Sequence, residues 1–134
     1  MKPLLFLTII VAFSACTPKK PSPSTPTEVL RTYFEATLRK DTSEIVALST
    51  PERVEHMRPQ FPRFLRAKLP IVRYYFHGEK ADSTNPDHTF VRFSTVVEDT
   101  TNHLSDSNTM LMSMHKVRGV WKVGNPQELE AINN

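Results

Sequence analysis

The sequence predicts an α+β domain in which N-terminal helices pack in the concavity of a curved antiparallel sheet. Three observations predict it. Between positions 26 and 65, apolar residues recur at intervals of three and four, the period of helices buried on one side. From residue 71 the period changes to two, the mark of strands. The helical half comes first, and short polar loops separate the strands. Neighbouring strands therefore pair antiparallel, and one face of the sheet curves round the helices.

The first helix has a clear start. Thr25 can cap it, Pro26 suits the first helical position, and Glu28 completes a capping box. Val29, Leu30, Tyr33, Phe34, Thr37 and Leu38 then fall on one side, with Arg31, Glu35, Arg39 and Lys40 on the other. Asp41 with Glu44 begins a second short helix carrying Ile45, Val46 and Leu48. Thr50-Pro51 begins a third, whose face continues through Val54, Met57, Phe61, Phe64 and Leu65. Pro59 and Pro62 interrupt it, so two short helices or one sharply bent one are expected.

Along the first strand, residues 71–80, Val72, Tyr74 and Phe76 alternate with Ile71, Arg73, Tyr75 and His77, and Gly78 marks a bulge or bend. A polar loop, residues 82–87, leads to a strand with Val91, Phe93, Thr95 and Val97 on one face. A second polar loop is expected over residues 99–107. Met110, Met112 and Met114 then alternate with Leu111, Ser113 and His115. Arg118-Gly119 forms a tight turn into a last strand with Val120, Trp121 and Val123. A frayed terminal turn is expected over residues 127–132.

The N-terminus reads differently. Lys2 gives it a positive start, residues 4–13 are mostly apolar, and small Ser14 and Ala15 precede Cys16, the only cysteine. The apolar run is shorter than the ~20 residues a membrane-spanning helix needs, and its layout fits a cleaved signal. It resembles the signal peptide and lipobox of bacterial lipoproteins, with Phe13 standing where those most often have Leu. The resemblance implies removal of residues 1–15 and lipidation of Cys16 by two or three acyl chains such as palmitate, enough for stable anchoring. It also implies a bacterial cell-envelope location. Thr17 is not an acidic retention residue, which implies the outer membrane, facing the periplasm. Residues 16–26, with prolines at 18, 21, 23 and 26, form a semi-rigid spacer that reaches roughly 30 Å. The domain proper is expected over residues 27–134.

Composition excludes several functions. Residues 1–15 hold Lys2 and no acidic residue, so the remainder has 16 Lys+Arg against 14 Asp+Glu. That near-neutral balance argues against nucleic acid. With three glycines in the whole chain there is no phosphate-cradling loop and no Gly-x-Ser-x-Gly elbow. The five histidines are scattered and no second cysteine exists, so neither a metal nor a cofactor is expected.

The segment "PTEVLRTYFEATLRKDTSEIVALSTPE", with its Tyr33-Phe34 pair and Lys40-Asp41, resembles the opening of small exported proteins of the NTF2-like superfamily. Its nearest likeness there is to lipoprotein domains grouped as DUF4878-like. The late "VRGVWKVGN", with Trp121 as a packing residue, resembles their final hairpin. The resemblance covers residues 26–125 and implies a cone of sheet around helices (an NTF2-like or cystatin-like cone), often with a pocket at the open end. Pro59 and Pro62 depart from that pattern.

The expected function is non-enzymatic: a membrane-anchored domain that binds a small apolar ligand or another envelope protein. Tyr33, Tyr74, Met112 and His115 are the candidate pocket residues. Arg58, Arg63 and Arg66 are candidates for contact with an anionic envelope component. One alternative is a pocket enzyme of isomerase or hydrolase type, built from Tyr33, Tyr74, Glu98, Asp99 and His115 around a desolvated general base. Another is an envelope assembly factor acting as a homodimer.

Overall fold

The computed structural model describes residues 23–99, 101 and 104–128. Residues 1–15, Cys16 and most of the spacer lie outside the described residues, as do residues 129–134.

Helix α1 spans Pro26–Arg39. Thr25 and Glu28 form the reciprocal capping box, and Pro26 occupies the first turn. On the far side of the same end, Thr27 N and Oγ1 donate to Glu79 Oε1 at 3.1 and 2.6 Å, which ties the helix start to the sheet. At the other end Lys40 adopts a left-handed conformation (φ 58°). Its N–H and that of Asp41 return to the last-turn carbonyls, Asp41 N to Ala36 O at 2.9 Å.

Helix α2 covers Thr42–Leu48 behind the Asp41 cap, and α3 covers Pro51–Met57 behind the Thr50 cap. A 3₁₀ turn, Arg58–Gln60, connects α3 to α4, Phe61–Arg66. Pro59 and Pro62 each sit in the first turn of a new piece, where an amide N–H would have no partner. The prolines thus bend the helical stretch rather than end it.

Strands β1 (Ile71–Ala81), β2 (His88–Asp99), β3 (Leu104–Val117) and β4 (Val120–Glu128) form one antiparallel sheet in sequence order. The register places Phe76 opposite Phe93, Val91 opposite Met112 and Met114 opposite Val123. Two bulges curve the sheet, one between Phe76 and Gly78 and one between Met112 and Met114. Gly78 holds φ 129° at the first, a conformation that side chains resist. The turn at Arg118-Gly119 has both residues at positive φ.

Two sequence expectations need correction. β3 begins at Leu104, so the loop expected over residues 99–107 is much shorter. The polar stretch pairs onward with β2 (Val97 with Asp106, Val96 with Ser107), and ladder continuity overrides its weak strand propensity. Gln127 and Glu128 belong to β4, opposite Leu111 and Met110, rather than to a terminal turn, and the rest of that stretch lies outside the described residues.

The core lies between the helices and the inner sheet face. Val29, Leu30, Tyr33, Phe34 and Ile45 meet Val91, Phe93, Met112, Met114 and Val123. Full burial of Val29 or Leu30 contributes about 1.5–3 kcal/mol each. Phe34 sits at the centre of an aromatic group, stacked on Tyr74 with centroids 3.9 Å apart and tilted against Phe93 at 5.0 Å. The link between α2 and α3 joins the edge of β4: Ser49 bridges Val123, and Thr50 N donates to Val123 O at 2.9 Å. This holds α3 and α4 beside the end of β4.

Candidate functional site

Two places carry chemistry, on opposite faces of the sheet. The first is a cavity of about 170 Å³ among the helices, lined by Tyr33, Thr37, Ile45, Met57, Gln60, Phe61 and Phe64. Residues 57, 61 and 64 are spaced at four and three. The bent α3–α4 stretch thus keeps one face, and that face forms a wall of the cavity. Lys40 steadies the wall: its Nζ donates to Leu65 O at 3.0 Å and to Ala67 O, closing the C-terminal end of α4.

The polar point of this cavity is Tyr33. Its hydroxyl donates to Met57 Sδ at 3.3 Å and accepts from Arg53 Nη2 at 2.9 Å and Nε at 3.3 Å. The guanidinium also lies 5.3 Å from the Tyr33 ring centroid. Beyond Arg53 lies a wider, open depression of about 610 Å³, lined by Glu52, Arg53, His56, Met57, Gln60, Asn125 and Pro126. Met57 and Gln60 line both spaces. An apolar slot thus opens beside a polar vestibule, with the Tyr33–Arg53 pair at the boundary.

The second place is the outer sheet face. His88 and His115 are register partners on β2 and β3, and their rings stack at 4.5 Å. Ser113 Oγ lies 2.8 Å from both Nε2 atoms. His88 Nδ1 lies 2.8 Å from Asp82 Oδ2. When the Asp82 carboxylate accepts from His88 Nδ1, a neutral His88 accepts from the Ser113 hydroxyl. Ser113 Oγ can then accept from His115 Nε2–H. Thr84 first, through its hydroxyl, and His88 second hold the Asp82 carboxyl well below the usual carboxylate range. Burial, and next the neighbouring His88, push His115 below its ordinary value, while Glu52 opposes them.

The Asp82–His88–Ser113 order matches that of a nucleophilic triad. Ser113, however, is 4% exposed in mid-strand and lies beneath two imidazoles. A nucleophile must be reachable by the atom it attacks. The arrangement serves as a hydrogen-bond network that joins the β1–β2 turn to β3.

The predicted pocket residues are not brought together. Tyr33 lines the cavity. Tyr74 lies in a separate groove between α1 and β1, its phenol raised by burial and by the nearby Tyr33. Met112 is buried in the core, and His115 is on the outer face. Glu98 pairs with Arg73 at 3.1 Å on the sheet. Arg58, Arg63 and Arg66 are exposed along the 3₁₀ turn and α4. Sequence reasoning did not single out Arg53 or Gln60 for the cavity, nor Asp82, His88 and Ser113 as a network. The 57, 61, 64 spacing was the only signal for the cavity wall.

Among the described residues, no group of three His, Cys, Asp or Glu side chains could hold a metal ion. Among them, no helix is long and apolar enough to cross a membrane.

No protein-family model matches the sequence, and no curated protein matches it. The fold is similar to the solution structure of a SEC-C motif containing protein from Rhodopseudomonas palustris. That similarity has a TM-score of 0.64 and 17% identity over 81% of this chain and 82% of that one. The intermembrane space region of the chloroplast protein ARC6 aligns with a TM-score of 0.33 and 13% identity over 81% of this chain and 97% of that one. At the first of these levels the likeness is one of fold: helices on a curved antiparallel sheet.

Proposed function

We propose that this chain is a bacterial lipoprotein, anchored through Cys16, whose NTF2-like domain binds a small apolar ligand between α1, α2 and α4. The observation that carries the reading is the cavity of about 170 Å³, lined mainly by Ile45, Met57, Phe61 and Phe64. Its size is close to that of an engineered apolar cavity of about 150 Å³ that takes up benzene. Its few polar groups, Tyr33, Thr37 and Gln60, suit orientation rather than catalysis. Residues 16–26 then set the domain away from the membrane.

Calorimetry with toluene or 1-hexanol tests the cavity, using the chain bearing Cys16→Ala in detergent-free buffer. Saturable one-to-one binding that Thr37→Phe removes is the expected result. Binding that persists in Thr37→Phe would refute this location. The anchor is tested separately, by fractionating cells that express Cys16→Ala. Release of the variant from the membrane fraction is expected; full retention after cleavage of residues 1–15 rules out lipidation.

A further inference from the structure

We infer that the occupant is an amphiphile with a single carboxylate head, its short tail in the apolar cavity and its head on Arg53 in the vestibule. This rests on the cavity reading above and adds the chemical class of the ligand.

The inference begins with what Arg53 lacks. It is half-buried, yet it makes no ion pair with a carboxylate among the described residues. Its described hydrogen-bond acceptor is the neutral Tyr33 hydroxyl. A guanidinium has five N–H donors. Tyr33 takes one from Nε and one from Nη2, which leaves the two Nη1 hydrogens and the second Nη2 hydrogen. Those form the end of the fork, the edge that binds a carboxylate with two parallel hydrogen bonds. The Tyr33 contacts fix the plane of the fork before any ligand arrives, so little order is lost on binding.

The two spaces have the matching division. Apolar lining on one side of the Tyr33–Arg53 pair meets a polar, open depression on the other. A neutral hydrocarbon would leave Arg53 without a counter-charge. A doubly charged phosphate would face Glu52, which lines the same vestibule. A head of charge −1 can sit on the Arg53 fork and meets half the repulsion from Glu52 that a dianion would meet. The cavity volume limits the tail to about six carbon atoms, by comparison with the benzene-sized case.

The test compares hexanoate, 1-hexanol and hexyl phosphate by calorimetry, again with the Cys16→Ala chain in detergent-free buffer. Hexanoate should bind about tenfold to a hundredfold tighter than 1-hexanol, the range expected of charge-assisted hydrogen bonds. Arg53→Met should remove that advantage while 1-hexanol binding persists. Arg53→Lys, which keeps the charge and loses the fork, should fall between. If Arg53→Met unfolds, the hexanoate to 1-hexanol ratio of the unsubstituted Arg53 chain still decides. Equal binding of hexanoate and 1-hexanol overturns the carboxylate inference and leaves the cavity reading standing. Tighter binding of hexyl phosphate than hexanoate overturns it in favour of a phosphate head. Binding of none of the three overturns the cavity reading itself.

Discussion

His88 and His115 face each other across β2 and β3, ring centroids 4.5 Å apart, and one hydroxyl, Ser113 Oγ, lies 2.8 Å from an Nε2 atom of each. Register alone makes the pair, because the two residues are directly opposed. One additional proton can be shared through Ser113 by reversing the hydroxyl. A second would place two cations in stacked rings, with only Asp82 and the more distant Glu52 to offset them.

The sign of the resulting pH dependence follows from His115. Its folded pKa is lowered, by burial first, so the fold favours the neutral ring. The unfolded chain takes up that proton near pH 6.5. Stability is therefore full above that pH and falls as pH drops toward the folded value. Asp82 adds a separate loss. Its folded pKa is also lowered, so its contribution is present above its ordinary value of 3.8 and disappears below it. Urea midpoints measured from pH 7 to 3 should show both limbs. His115→Gln should flatten the limb that begins just below about pH 6.5 and leave the acid limb in place. An unchanged upper limb in that variant would assign it to another group.

Gly124 makes room for this network. A Cβ built there would lie 2.8 Å from His115 Cδ2 and 2.9 Å from Ser113 O. The second of these is backbone in a paired strand and cannot swing aside. Gly124→Ala should cost about 1–3 kcal/mol in chemical denaturation. Combining it with His115→Ala should recover part of the loss, since one of the two clashes is then gone. Additive costs in the double variant would show that the ring is not what the new methyl meets.

Helix starts were legible in the sequence because capping is local. Thr25 with Glu28, Asp41 and Thr50 each act within four residues. Strand faces were legible for the same reason: Val91 and Phe93 alternate over a few positions. The start of β3 was not, because Ser105, Asp106 and Ser107 look like a loop and become strand only by pairing with β2. The candidate site was harder still. Arg53 and Tyr33 meet from separate helices, and nothing at either position signals the other. The pairing of His88 with His115 depends on register across a loop that the sequence reading made too long. Bringing Tyr33, Tyr74, Met112 and His115 into one pocket failed because strand alternation and helix rotation send them to different spaces.

Phe34 should be the most sensitive core position. Its ring stacks on Tyr74 at 3.9 Å with an interplanar angle of 7°, and it also packs near Tyr33, Phe76 and Phe93. Phe34→Ala removes a ring that joins α1 to two strands, and the cavity left behind cannot collapse between them. The expected loss is about 3–5 kcal/mol by chemical denaturation. Phe34→Leu should lose less, because most of the apolar volume remains. Equal losses would mean that the aromatic contacts, rather than volume, dominate.

Lys40 performs two tasks that substitution can separate. Its backbone ends α1 in a left-handed conformation, φ 58°, which costs a side-chain-bearing residue about 1–2 kcal/mol. Its ammonium reaches across to the end of α4, to Leu65 O and Ala67 O. Lys40→Ala keeps the strain and loses the second task, so stability should fall by about 1 kcal/mol. Lys40→Gly loses the same hydrogen bonds and relieves the strain, so its overall stability should return close to that of the unsubstituted chain. The local effect should not return. Ala67 N, which donates to Arg63 O and Phe64 O, should exchange its amide hydrogen faster in both variants. Because Phe61 and Phe64 on this helix line the cavity, affinity for 1-hexanol should weaken in both as well. Unchanged exchange at Ala67 in both variants would show that α4 is held by its apolar face alone.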